Sequence, residues 1–283
     1  MKEIHLFDLP EELYVKLNPD FFKRLFNSVK NKVGKWSKLA KILNTRSSNT
    51  YGWKDGRILF SIKILKILCL FVDLKESEVE RNVESLKFRG GYISNPKLPI
   101  LISEDLGVIL AALLGDGGIG RHGYVVHYSN TQSCLVDSFI QCIRNSFGDV
   151  RLLSDKMRNN VRMVRLSGVL GRILVKTFNI PLGKKTRSDY NIPTIILEAK
   201  KNVKSKFLRR LFDDEGNVGK STNKISMKTT IESNRIKNEM PVRIKDLVIL
   251  LSNFILYSKS NPTIFLNNSR DFLSQIHNSQ SST

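Results

Sequence analysis

Two short stretches end an apolar run in acid and glycine. One runs from Ile109 to Gly117 (ILAALLGDG) and closes on Asp116; the other runs from Leu208 to Gly216 (LRRLFDDEG) and closes on Asp213, Asp214 and Glu215. An acid in the last turn of a helix meets the negative end of the dipole and is disfavoured by about 0.3–1 kcal/mol. The chain holds 26 Asp and Glu against 46 Lys and Arg, so acids gathered at such a place call for a cation to offset them. If the two apolar helices pack side by side and parallel, Asp116 and Glu215 arrive at one end. Hard oxygen donors from two helices suit Mg²⁺ or another divalent ion. A solvated helix end explains either acid alone. It explains poorly two copies of apolar helix, acid and glycine set 99 residues apart.

The elements that must position these acids are partly visible. Ser103 is a suitable N-cap, and Leu106, Ile109, Leu110 and Leu113 form one helical face. Gly107, Ala111 and Gly115 lie four apart, a small-residue stripe that lets another helix come close. Gly117 is expected to end this helix in the left-handed conformation. Phe207, Leu208, Leu211 and Phe212 form the matching face of the second helix. Gly115, Gly117 and Gly120 match a dinucleotide-binding fingerprint, but that motif needs a strand before it and a helix after, the reverse of the pattern here. Tyr124–Tyr128 reads as a strand and Gln132–Phe147 as an amphipathic helix. Val150–Ser154 and Val161–Leu166 read as a hairpin turning at Asn159 and Asn160. Further on, Lys224, Ser226, Lys228 and Thr230 alternate with Ile225 and Met227, giving a strand with one basic, hydroxyl-rich face. Such a face can meet phosphates and base edges.

The whole chain has 283 residues, a formal charge of +20 and a sequence pI of 9.9, which favours a polyanionic partner, nucleic acid before a membrane surface or a ribosome. At roughly 100–200 residues per domain, two or three domains are expected. Cys69, Cys134 and Cys142 form no CxxC pair, so neither a disulfide framework nor a zinc ribbon is indicated. The first residues carry four acids and no apolar core, unlike a signal peptide. The apolar stretches at 62–72 and 247–257 are too short to span a bilayer. A soluble, intracellular, cytoplasmic protein is expected. Residues 20–90 read as helical, with Trp36, Leu39, Ala40 and Leu43 on one face, a polar break at 44–48, a short helix through Tyr51 and Trp53, and another over Ile62–Phe71. With Arg46 and Lys54 among its marginal cations, this is the outline of a helix-turn-helix unit that contacts DNA; a basic three-helix bundle would look alike. Gly90, Gly91 and the Asn95–Pro99 stretch mark the best boundary.

The two nine-residue stretches line up without gaps with the signature of the LAGLIDADG (dodecapeptide, DOD-type) homing endonucleases, which the chain resembles over roughly residues 100–260. The resemblance implies an α+β fold: two αββαββ repeats form an antiparallel-sheet saddle over duplex DNA, here preceded by a small all-α domain. Residues 1–92 would be that helical domain, 100–202 the first repeat and 203–283 the second. It implies a site-specific double-strand DNA endonuclease, a hydrolase of phosphodiester bonds serving intron homing. Asp116 and Glu215 would hold Mg²⁺ or another divalent cation. The Gly183–Lys184–Lys185 segment would bring a lysine to the site. Arg121, His122, Lys224, Ser226, Lys228, Arg46 and Lys54 would bind DNA. A monomer acting on double-stranded DNA, with no membrane partner, is expected. Arg210 stands at the third signature position, where the family places a small residue. Only 68 residues follow Glu215, so the second repeat reads as short or degenerate. The alternative is a non-cleaving relative, a DNA-binding regulator or a maturase on structured RNA.

Overall fold

The computed structural model describes residues 3–184, 191–218 and 225–227. Among them stand thirteen strands and ten helices, a mixed α+β architecture with antiparallel sheets. The chain opens with β1 (Glu3–Ile4) and β2 (Tyr14–Leu17), followed by α1 (Pro19–Val33), α2 (Trp36–Ile42) and α3 (Ser47–Lys54). Asn18 caps α1 by accepting from the backbone N–H of Asp20 and Phe21, with Pro19 at the first helical position. Trp36, Leu39, Ala40 and Leu43 are all buried, so the helical face read in the sequence does face the core.

Next come β3 (Phe60–Ser61), α4 (Ile62–Phe71), α5 (Glu76–Glu80), β4 (Val83–Phe88) and β5 (Gly91–Ser94). The expected all-α character of residues 1–92 is thereby corrected. β2, β3, β4 and β5 build a sheet in the order β3-β2-β4-β5, and β4 lies inside the stretch read as helical. Val15 pairs with Leu86 and Leu86 with Ile93, so the strands exist through partners far off in sequence, which local periodicity does not report.

After β6 (Ile100–Leu101), which pairs with β1, the order is α6 (Glu104–Leu114), β7 (Gly118–Ile119), β8 (Val126–Asn130) and α7 (Ser133–Phe147). Then follow β9 (Asp149–Val150), β10 (Leu152–Arg158), β11 (Val161–Leu166) and α8 (Gly168–Phe178). The second sheet runs β10-β11-β8-β7. Asn159 and Asn160, with φ of 49° and 61°, make the two-residue turn of the expected hairpin; both central residues of a type I′ turn need positive φ. Val126, Tyr128, Val164 and Leu166 are buried on one face of this sheet with Val136, Phe139 and Ile143 of α7, and the Tyr128 and Phe139 rings lie 4.7 Å apart. β9 joins the first sheet by pairing with β5 (Ile93↔Val150), which carries that sheet across the expected boundary near residue 92.

α9 (Thr194–Leu197) and α10 (Lys201–Glu215) follow, and α10 leads into the hairpin of β12 (Gly216–Val218) and β13 (Ile225–Met227). α6 lies along α10. A Cβ on Gly107 would sit 3.0 Å from the Val203 carbonyl oxygen, and one on Gly115 would sit 2.8 Å from Asp214 Cβ. Positions rise together on both helices, so the pair is parallel. Leu106, Ile109, Leu110, Leu113, Phe207, Leu208 and Leu211 are buried in the core. Burying each such side chain stabilises by about 1.5–3 kcal/mol. Among the described residues no helix is long and apolar enough to cross a membrane. Residues 228–283, on which the short second repeat was read, lie outside the described residues, as do Lys224 and Lys228.

Candidate functional site

Asp116 follows the C-terminus of α6, exposed between the buried Gly115 and Gly117. The N–H of Gly115 donates to the Ala111 carbonyl and that of Gly117 to the Ala112 carbonyl, both at 2.8 Å, so the chain winds tightly before it enters β7. Gly117 does not adopt the left-handed conformation expected of it. Its glycine character is required by space. A Cβ there would lie 2.9 Å from the Ala112 carbonyl oxygen and 3.1 Å from that of His127.

A chain of hydrogen bonds leads from Asp116 to α10. Asn130 Oδ1 accepts from the Gln132 N–H at 2.9 Å, which fixes the orientation of the amide. Its Nδ2 therefore donates to Asp116 Oδ2 at 2.9 Å and to the Tyr128 hydroxyl at 3.3 Å. The Tyr128 hydroxyl in turn donates to Asp214 Oδ1 at 2.7 Å. Burial, with Asp214 alongside, pushes the Tyr128 phenol up, so it stays a donor. Asp214 Oδ2 faces Arg210 Nε at 3.4 Å, and both side chains are buried. Asp214 is pushed up to about 6, chiefly by burial, with Arg210 and the Tyr128 hydroxyl opposing the rise and Asp116 and Asp213 adding to it. Arg210 also donates to the Leu135 carbonyl at 3.0 Å and lies 4.9 Å from the Tyr128 ring centre. Arg210 is accommodated by turning toward β8 and α7, with Asp214 as counter-charge.

Glu215 is the last residue of α10, one beyond Asp214, as Asp116 is one beyond Gly115. The register that sets Gly115 against Asp214 thus sets the Asp116 and Glu215 backbones at one end of the helix pair. Asp213, in the same turn, is exposed. Carboxylate oxygens are the donors that Mg²⁺ takes, and Asp116, Asp213 and Asp214 bring three of these groups to this end of the helix pair.

Leu182 bridges Ile119 in parallel, and the Gly183 N–H donates to the Ile119 carbonyl at 2.7 Å. This returns Lys184, which is exposed, to β7, the strand that follows Asp116. Gly183 has φ +89°, and a Cβ on it would lie 2.6 Å from Arg121 Nε. Arg121 and His122 are exposed in the β7–β8 turn. Arg46 and Lys54 flank α3, among the N-terminal helices and not on this sheet. Lys185 lies outside the described residues, and Ser226 is described only as a member of β13.

The sequence reading missed a basic face. Side chains directly opposite across antiparallel strands share a face. Arg165 is opposite both His127 and Ser154, Met163 opposite both Ser129 and Lys156, and Val161 opposite Arg158. These residues form the face turned away from Tyr128 and Val164. Lys156, Arg158 and Arg165 are exposed on it and make no ion pair among the described residues. Arg162, on the other face, pairs with Asp137 and Asp155 at 2.8 Å each and holds Asp155 below the usual carboxylate range. The alternation Ser154, Lys156, Arg158 was present in the sequence, but it acquires meaning only with the register. Among the described residues, His5, Glu76 and Glu80 are the one group of three ligand-type side chains whose donor atoms lie within 4.8 Å of one another. Glu80 Oε1 also meets His5 Nδ1 at 3.1 Å and accepts from the Leu6 N–H at 2.9 Å, and Glu76 accepts from the Phe7 N–H at 2.6 Å.

No family model matches the sequence, and no curated protein matches it. Among solved structures the fold is similar to mesophilic variants of the homing endonuclease I-DmoI, at 13% identity and a TM-score of 0.34, covering 54% of this chain and 76% of that one. It is similar also to I-DmoI in complex with DNA and Ca, at 14% identity and the same TM-score, covering 54% of this chain and 71% of that one.

Proposed function

We propose that the chain is a site-specific DNA endonuclease of homing type, hydrolysing phosphodiester bonds of double-stranded DNA with a divalent metal held by Asp116 and Glu215. The observation that carries this reading is the parallel packing of α6 on α10, with Gly115 against Asp214. It supports a shared position for the two acids that follow those residues. A bound divalent ion, Mg²⁺ in the first place, supplies charge stabilisation at the scissile phosphate and a more acidic attacking water. Asn130 holds the Asp116 carboxylate in orientation through its amide. Lys184, brought back to β7, stabilises negative charge that builds on the phosphate in the transition state. The face carrying Lys156, Arg158 and Arg165 binds backbone phosphates, with Arg121 and His122 at its turn and the Lys224–Lys228 strand as its counterpart in the second copy. One chain supplies both helices, so the active form is a monomer.

The test is incubation of purified protein with DNA flanking its own gene, in Mg²⁺ or in EDTA. Cleavage is expected only with Mg²⁺. Asp116→Asn and Glu215→Gln are each expected to lower it by on the order of 100- to 1,000-fold while binding persists. Undiminished Mg²⁺-dependent cleavage in both variants overturns the reading. The second reading, a non-cleaving DNA-binding regulator or RNA maturase, draws support from the charged Arg210 at a position where the family places a small residue, paired with a buried Asp214. A gel shift with no cut product in Mg²⁺ would establish it.

A further inference from the structure

We infer that the α2–turn–α3 corner, led by the outer flank of α3, is a second contact surface for duplex DNA, separate from the basic face of the β10–β11–β8 sheet. The inference stands on its own and does not require the chain to cleave DNA. Between residues 19 and 59 there are ten Lys and Arg against two acids. Asp55 is engaged by Lys54 at 3.4 Å and Arg57 at 2.9 Å. Lys35, Lys38, Lys41 and Arg46 are exposed and make no ion pair among the described residues. No described residue pairs with these charges, and they are the groups a polyanion would meet.

The local build presents a helix outward. Asn44, with φ 46°, lets the chain reverse after α2, and the Thr45 N–H closes the turn on the Ala40 carbonyl at 2.9 Å. Asn49 Nδ2 donates to Thr45 Oγ1 at 2.8 Å and the Thr50 hydroxyl to the Ser47 carbonyl at 2.8 Å, which fixes the start of α3. Thr50 and Trp53 face the core, and Gly52 sits so close to Ile58 that a Cβ would lie 2.8 Å from it. This leaves Ser47, Ser48, Tyr51 and Lys54 on the exposed flank. Hydroxyls, an aromatic and cations at helical spacing are groups that bond to base edges and phosphates. α3 is eight residues long, about 12 Å at 1.5 Å per residue. A helix with its side chains is about 10–12 Å across, which fits the width of a B-form major groove, whereas the A-form RNA major groove is too narrow to admit it. The charge and the helix together therefore select duplex DNA over RNA.

The test uses the full chain in EDTA with a random-sequence DNA duplex, measuring affinity as a function of salt. Each phosphate contact contributes a slope of about −0.9 in log K against log salt. The triple variant Lys38→Ala/Lys41→Ala/Arg46→Ala is expected to flatten that slope by roughly two to three. A matched triple on the sheet, Lys156→Ala/Arg158→Ala/Arg165→Ala, is run beside it, with circular dichroism of each to verify the fold. An unchanged slope in the first triple overturns the inference. If the sheet triple alone flattens the slope, DNA binding by the sheet survives and only the α3 surface is lost. If neither does, both readings fall. Tighter binding of a structured RNA than of the duplex, lost in the first triple, would also overturn it, because the occupant would be the wrong one.

Discussion

α6 and α10 face each other along their length, yet they are made differently. Where α6 meets α10 most closely it offers only backbone: Gly107 lies against Val203 and Gly115 against Asp214. At the matching positions α10 offers Val203, Phe207 and Asp214, with Arg210 one turn before Asp214. Close approach of two helices needs a flat ridge on one of them, not on both. With α6 supplying the ridge, α10 is free to carry bulk and even charge into the core. The charge comes with a condition. Ions taken from water lose solvation worth several kcal/mol each, so Arg210 and Asp214 are tolerable only as a pair with further partners, which Tyr128 and the Leu135 carbonyl provide. The acids that follow inherit the difference: Asp116 stands exposed in a glycine setting with a neutral amide beside it, whereas Glu215 succeeds a buried carboxylate.

The asymmetry can be broken from either side. Arg210→Met leaves Asp214 buried without its counter-charge and should cost about 3–5 kcal/mol in urea unfolding. The double variant Arg210→Met/Asp214→Leu removes both ions and should recover much of that loss; no recovery would mean that the pair is not what α10 requires. Gly115→Ala should come next, at about 1–3 kcal/mol. Gly115 caps α6 with a non-helical backbone, so alanine gains no helix propensity there, and the added carbon would sit 2.8 Å from Asp214 Cβ, so the helices must part. A rise in melting temperature for this variant would show that the ridge is not needed. The smallest change in stability is expected for Asn130→Ala, about 1 kcal/mol for the lost hydrogen bonds. Its effect should instead fall on function, lowering metal affinity or cleavage by about 10–100-fold, the usual consequence of removing a group that orients a ligand. Asn130→Asp should be worse than Asn130→Ala, because it sets a negative charge against Asp116; equal effects would argue for a packing role only.

Much of this arrangement could be read from the chain. The apolar faces of the two helices, the small-residue stripe and the hairpin turning at Asn159 and Asn160 are local signals, and they hold in the structure. What escaped was set by partners distant in sequence. The strands β2 and β4 exist because Val15 meets Leu86, and no window around either residue contains the other. The basic face needed the register of three strands before Lys156, Arg158 and Arg165 could be seen to share a side. Gly117 was legible as a necessary glycine but for the wrong reason: crowding by Ala112 and His127 replaces a left-handed turn. Nor does sequence show where an arginine points, and the partners of Arg210 are on β8, α7 and its own helix.

The joint between residues 1–92 and the segment after them has a bearing on how such a chain could be cut and recombined. Val150 completes a sheet whose other strands all precede residue 95. Arg172 reaches back to Glu12 at 2.6 Å, with its guanidinium 4.0 Å from the Phe88 ring centre and 4.4 Å from that of Tyr124. A linker can be severed and re-spliced, but a shared sheet cannot. Removing residues 1–92 would leave β9 only Ile93 and Ser94 of β5, cut off from β4 and the rest of the sheet, and leave the Arg172 charge beside a lost carboxylate and a lost ring. Exposed backbone at a strand edge invites pairing with other chains. A chimera that exchanges the front of this protein must therefore carry Asp149 and Val150 with it, or graft onto an equivalent sheet.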